Sequence, residues 1–188
     1  MRLGPGFDAV LAAARADAPW AYDRLWRAFS PAVCSYLRLQ GAFDPDDLTS
    51  EVFLGAFRGL GGFSGDEDRF RAWLFTIAHR RITDERRRAS ARPRCSAWGD
   101  VPERRGGDVE DDALAGLGTA RARELCDRLV AAQRDVLLLR VVADMTVEQV
   151  ADTLGRTPGA VKQLQRRGLL ALRQMLAPEV AVSSGQGA

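Results

Sequence analysis

The residues able to do chemistry in this chain of 188 residues are few, and they do not assemble into a catalytic set. His79 is the single histidine. One helical turn further on stands Thr83, so the imidazole has no carboxylate or nucleophile in easy reach for acid–base work. Asp46, Asp47 and Glu51 come nearest to a cation site. Asp46 and Asp47, however, directly follow Asp44-Pro45, where a helix start uses carboxylates for capping and for the positive end of its dipole. Cys34, Cys95 and Cys126 are odd in number, widely spaced and form no CxxC pair. They read as free thiols of a reducing compartment. Neither GxxxxGK[ST] nor GxGxxG occurs, so no phosphate cradle is expected. The expectation is a protein that is not an enzyme and takes no metal and no cofactor.

What remains is charge. The formal net charge is only +2, and Lys162 is the one lysine among the basic residues. Any affinity for an anionic partner must therefore come from placement. Between Arg69 and Arg94 nine arginines stand against Asp84 and Glu85, a local charge of +7. This is the footprint of a nucleic-acid surface; the competing reading is a solvated helix end, where arginines also suit the dipole. A second basic group, Lys162, Arg166 and Arg167, falls on one side of the stretch TVEQVADTLGRTPGAVKQLQRRGLLALR, from Thr146 to Arg173.

That stretch reads as two helices and a short turn. Thr146 caps the first with Gln149 at its third position, as in a capping box. Val147, Val150, Ala151 and Leu154 recur at helical spacing, and Gly155 supplies the left-handed residue that ends the helix. Thr157 caps again and Pro158 opens the second helix, where a missing N–H costs nothing. Val161, Leu164 and Leu172 face inward, while Lys162, Gln163, Arg166 and Arg167 face out. A capped helix, a glycine turn and a basic second helix make a helix-turn-helix, whose second helix enters the major groove. An ordinary helical hairpin is the competing reading, and the basic face decides against it.

The rest of the chain is read as support. Residues 7–29 are expected to be one helix, and Ser30-Pro31 to cap and open the next, ending at Gly41. Asp44-Pro45 starts a helix that buries Leu48, Val52, Phe53, Ala56 and Phe57. Residues 59–68 form a glycine-rich loop, with Ser64 and Glu67 spaced as a capping box for a helix from Arg69 to about Ala89. Residues 91–118, with their prolines, Gly106-Gly107 and acidic cluster, read as an extended acidic linker. The domain limits are thus 1–90 and 119–176, with 177–188 a disordered tail of small residues. A 46% hydrophobic and 28% charged composition is that of a globular chain. With no signal pattern and no membrane-length apolar run, the cytoplasm is the expected location.

Three blocks in order, DPDDLTSEVFLGAFRGL, FRAWLFTIAHRRITDERRR and AQRDVLLLRVVADMTVEQVADTLGRTPGAVKQLQRR, together resemble bacterial RNA polymerase sigma factors. The resemblance is to the two-domain extracytoplasmic-function group of the sigma-70 superfamily. It covers roughly residues 7–90 and 120–174 and implies an all-α fold: a region 2-like helical bundle and a region 4-like helix-turn-helix joined by a flexible linker. It also implies that Asp47, Leu48, Ser50, Glu51, Val52, Leu54 and Phe57 dock on the clamp of the polymerase largest subunit, with the flap of the second subunit as a further contact. The −10 element would be held as a single strand by Phe63, Ser64, Arg69, Arg71, Trp73, His79, Arg80, Arg81, Asp84, Arg86, Arg87 and Arg88. Stacking on Phe63 or Trp73 suits a single strand, although Trp73 also belongs to the apolar stripe of its helix. The −35 element would meet Arg156, Thr157, Pro158, Ala160, Lys162, Gln163, Arg166 and Arg167. The partners implied are core RNA polymerase, promoter DNA and, in this group, an anti-sigma factor as an optional third.

Two departures stand out against that family. Ser50 replaces the usual glutamine, and KQLQRRGL replaces the more basic KSRLHRAR. Gly168 is expected to weaken the recognition helix by about 1 kcal/mol relative to alanine. The alternative function is a free-standing helix-turn-helix regulator, which would need neither of the first two blocks.

Overall fold

The computed structural model describes residues 2–91 and 112–183, and every regular element among them is helical. The N-terminal half contains α1 (Phe7–Arg15), α2 (Pro19–Leu39), α3 (Pro45–Gly59) and α4 (Glu67–Ala91). The C-terminal half contains α5 (Asp112–Asp127), α6 (Ala131–Val141), α7 (Val147–Leu154) and α8 (Pro158–Ser183).

The first half is built on aromatic packing. Leu25, Phe29, Val33, Tyr36 and Leu37 of α2 are fully buried against Val52 and Phe53 of α3 and Phe70, Leu74, Phe75 and Ile82 of α4. Phe29 meets Phe70 edge-on at 5.3 Å and Tyr36 meets Phe75 at 5.4 Å. In the second half Val136, Leu139, Met145, Val150 and Val161 close a smaller core. The apolar cluster is continuous between the halves.

Several sequence expectations are corrected. Residues 7–29 are not one helix: Asp17 turns left-handed (φ 58°), Ala18 is extended and Pro19 opens α2. Pro19 was the signal, since the residue before a proline is driven out of the α region. Pro31, conversely, starts no new helix but lies inside α2. It sits on the exposed side, while Leu25, Phe29, Val33, Tyr36 and Leu37 keep one continuous buried stripe through it. Burying each such side chain contributes about 1.5–3 kcal/mol, which together outweighs the ~3 kcal/mol of an internal proline.

Asp66, rather than Ser64, caps α4, accepting the Arg69 N–H at 2.8 Å. Glu67 instead reaches back to the backbone N–H groups of Leu3 and Gly4. Of the expected linker, Ala91 ends α4, residues 92–111 lie outside the described residues, and 112–118 already belong to α5. Of the expected tail, residues 177–183 continue α8 and residues 184–188 lie outside the described residues.

Candidate nucleic-acid interface

The helix-turn-helix is held by the caps its sequence announces. Thr146 accepts the Gln149 N–H at 3.2 Å while the Gln149 side chain accepts the Thr146 N–H at 2.8 Å. Gly155 is left-handed (φ 61°), and Thr157 accepts the Ala160 N–H at 3.2 Å. These fix α8 against α7 with Val161 buried and Leu164 half-buried. Arg156, Thr157, Pro158, Lys162, Gln163, Arg166 and Arg167 are all exposed; Ala160 is half-buried beneath them. Among the described residues no carboxylate pairs with Arg156, Lys162, Arg166 or Arg167. The face therefore keeps its four positive charges available to an anion.

Gly168 is also explained. A Cβ there would stand 2.7 Å from Leu137 Cδ1, so the glycine lets α8 lie directly on α6. The helix-weakening reading drawn from sequence is incomplete, because the residue's job is the packing of the recognition helix.

On α3, Asp44 caps the N-terminus by accepting from the Asp46 and Asp47 N–H groups, as expected. Asp47, Ser50 and Leu54 are exposed, Leu54 by 54%. Glu51 is half-exposed and pairs with Arg81 at 3.4 Å. Leu48 and Val52 point into the core, and Phe57 packs half-buried on Tyr22 at 4.7 Å. These three position the helix and do not form its outer face. Between α3 and α4 lies a cleft of about 150 Å³ lined by Phe43, Asp47, Leu48, Glu51, Arg81 and Arg88 among others. Phe43 is exposed at its rim.

The expected −10 residues do not share one environment. Ser64, Arg69, Arg80, Arg87 and Arg88 are exposed, and Arg87 pairs with Asp84 at 3.0 Å. Phe63 stacks on Trp73 at 5.0 Å, and Trp73 lies over Gly59, so both rings already have partners while remaining half-exposed. Arg71 is only 3% exposed: its NH2 contacts Asp68 at 3.0 Å, Asp144 Oδ2 at 3.5 Å and the Asp144 carbonyl at 3.1 Å.

His79 is half-buried. Tyr36 OH accepts from Gln40 Nε2 at 3.2 Å and is hydrogen-bonded to His79 Nδ1 at 3.0 Å. Burial lowers the His79 pKa, against an opposing pull from Asp135, and raises that of Tyr36.

Arg86 donates to the Gln40 carbonyl and to Gln40 Oε1, and sits 3.8 Å from Asp135. Burial, followed by the nearby Arg134, lowers its pKa. Sequence reasoning missed Gln40, Asp135 and Asp144 altogether, since nothing local in their stretches marks a partner so distant along the chain. Cys34 and Cys126 are free thiols whose pKa burial raises. Among the described residues no group of metal-ligating side chains forms, and no helix is long and apolar enough to cross a membrane.

A basic helix-turn-helix joined to an aromatic-cored helical bundle with an arginine-rich helix is the architecture of a DNA-binding protein. Models of sigma-70 region 2 and sigma-70 region 4 match residues 25–92 and 127–174. The ECF RNA polymerase sigma factor SigD of Mycobacterium tuberculosis is 32% identical over 178 residues, covering 90% of this chain and 84% of SigD. BldN of Streptomyces coelicolor is 32% identical over 162 residues, 83% of this chain and 60% of BldN, so the match spans under two thirds of that relative. Among solved structures, CnrH in complex with the cytosolic domain of CnrY superposes with a TM-score of 0.66 at 26% identity, covering 90% of this chain and 96% of CnrH. The chain belongs to the ECF RNA polymerase sigma factors. Sigma factors are not enzymes, and the free-standing regulator reading is not favoured.

Proposed function

We propose that the chain binds core RNA polymerase in the cytoplasm and directs promoter-specific initiation, with α8 reading the −35 element and α4 holding the −10 strand. The observation that carries this is the unpaired basic face of α8, set at the capped helix-turn-helix and separate from the acidic face of α3. Gln163 is suited to adenine and Arg166 and Arg167 to guanine or phosphate. Arg69, Arg80, Arg87 and Arg88 would meet backbone phosphates, which position DNA without reading it. Asp47, Ser50, Glu51 and Leu54 supply carboxylates around an apolar step, a surface suited to helix-on-helix docking at the polymerase clamp. Leu169, Leu170 and Arg173 line an open hollow along α8 that would suit the flap of the second subunit. An anti-sigma factor is a further partner by kinship: RpoE of Bartonella quintana, which shares the fold, was solved with the anti-sigma factor NepR.

Polymerase docking is tested by Asp47→Asn with Glu51→Gln. Both side chains are at least partly exposed, and a solvent-accessible pair such as Glu51–Arg81 is worth at most about 1 kcal/mol, so the fold should survive. Co-elution with core polymerase should weaken at least tenfold, with unchanged melting temperature. Wild-type affinity in the double variant would remove α3 from the interface.

A further inference from the structure

The connection between α3 and α4 contains Gly59, Gly61, Gly62 and Gly65, so it has much freedom to lose on folding. Two distant stretches of the N-terminal half hold it. Arg15, in the last turn of α1, donates through its NH2 to the Phe63 carbonyl. The Phe63 ring is fixed as well, stacked on Trp73 at 5.0 Å and edge-on to Phe70 at 5.5 Å. Four residues on, Glu67 in the first turn of α4 accepts from the backbone N–H groups of Leu3 and Gly4, the second at 3.0 Å.

The Leu3–Gly4 pair is shaped for that carboxylate. Leu3 is right-handed (φ −81°, ψ −22°) and Gly4 is left-handed (φ 68°). Successive residues of opposite hand turn their N–H groups toward one point and form a nest, a backbone concavity that takes an anion. Leu3 also packs on the core, which anchors the nest. Glutamate in a first turn suits the helix dipole without any of this; the nest additionally ties the start of α4 to the N-terminal segment. Between the two anchors lie only Ser64, Gly65 and Asp66, and Asp66 is occupied in capping α4. Ser64 is exposed, and a Cβ at Gly61 or Gly62 would meet nothing within 4 Å, so the loop beside Phe63 is open.

We infer that Arg15 and the Leu3–Gly4 nest are positioning residues for −10 recognition: they hold Phe63 and Ser64 in one presentation and thereby set which −10 base the loop accepts. This rests on the reading of the loop and α4 as the −10 surface. Neither anchor is asked to touch the strand. Both remove loop conformations in advance, so that capturing a base no longer has to order the loop. A loop held in one geometry also discriminates better, because it does not rearrange to suit a wrong base.

The test uses three variants of the full chain. Arg15→Ala removes the donor, and Arg15→Lys keeps one. Gly4→Val strains only the backbone, since a Cβ at Gly4 meets nothing within 4 Å. Hydrogen exchange is read first, in the free proteins, on the peptide spanning residues 59–68. It should be about tenfold faster in Arg15→Ala and in Gly4→Val, and near wild type in Arg15→Lys. Wild-type exchange in either disruptive variant overturns the brace.

Each chain is then combined with core polymerase, and initiation is measured on promoters differing at single −10 or single −35 positions. Arg15→Ala and Gly4→Val should lower the ratio of best to worst −10 base by roughly fivefold at one position, with −35 ratios unchanged. Arg15→Lys should recover most of that loss. A uniform fall in initiation with the −10 ratios intact would mean structural support alone and overturns the positioning role. Absence of promoter-dependent initiation by the wild-type holoenzyme would instead sink the sigma reading, while the exchange rates still decide the brace.

Discussion

Gly168 shows how one missing methyl group can set the position of a recognition helix. Its substitution by alanine improves helix propensity by about 1 kcal/mol, yet drives a Cβ to 2.7 Å from Leu137 Cδ1. Overpacking of this kind costs about 1–3 kcal/mol, so the clash wins. Gly168→Ala should lower the denaturant midpoint, and Leu137→Ala in the same chain should relieve part of that loss; a stabilised single variant would contradict the close α6–α8 approach. His79 belongs to the same scale. Its native pKa lies below the ordinary 6.5 because the ring is buried against Tyr36, with Arg86 adding to the shift and Asp135 opposing it. The native state therefore prefers the neutral ring. Its stabilising contribution is complete above about 6.5 and is lost as pH falls from there through the lowered native value. His79→Gln should flatten that part of the urea-midpoint profile below pH 6.5, and a profile parallel to wild type would reject the assignment.

At the scale of elements, α2 keeps a helix running through Pro31 because its buried stripe does not stop there. Pro31 is exposed and leaves the Arg27 carbonyl without an intrahelical donor. Pro31→Ala should therefore raise the melting temperature by several degrees, whereas a loss would mean that the ring itself is packed. What the sequence made legible were elements with local chemistry. The Asp44 cap, the Thr146–Gln149 box, the Gly155 stop and the Thr157 cap each depend on neighbours within a few residues, and each is found. What it hid was decided across space. Pro31 reads as a start until the partners of Phe29 and Val33 are known. The arginines of α4 read as one positive face until Asp68, Asp144, Glu51, Asp84 and Asp135 are seen against four of them, namely Arg71 (two carboxylates), Arg81, Arg87 and Arg86. Arg71 is buried and Arg86 half-buried for that reason.

At the scale of the whole molecule, three surfaces are proposed to carry three tasks. The exposed basic face of α8 is open, the acidic face of α3 is open, and the arginine face of α4 is partly covered by the other half of the chain. A sigma subunit needs all three, since polymerase docking, −35 reading and strand capture must act together on one promoter. An isolated DNA-binding regulator needs only the first. The most direct test is in vitro transcription from a promoter library by purified core polymerase with and without this protein. Start sites that appear only with the protein are expected, preceded by two motifs at fixed spacing, and lost when Arg166 and Arg167 are replaced by alanine. Initiation at the same sites without the protein, or with another sigma factor still required, would contradict it.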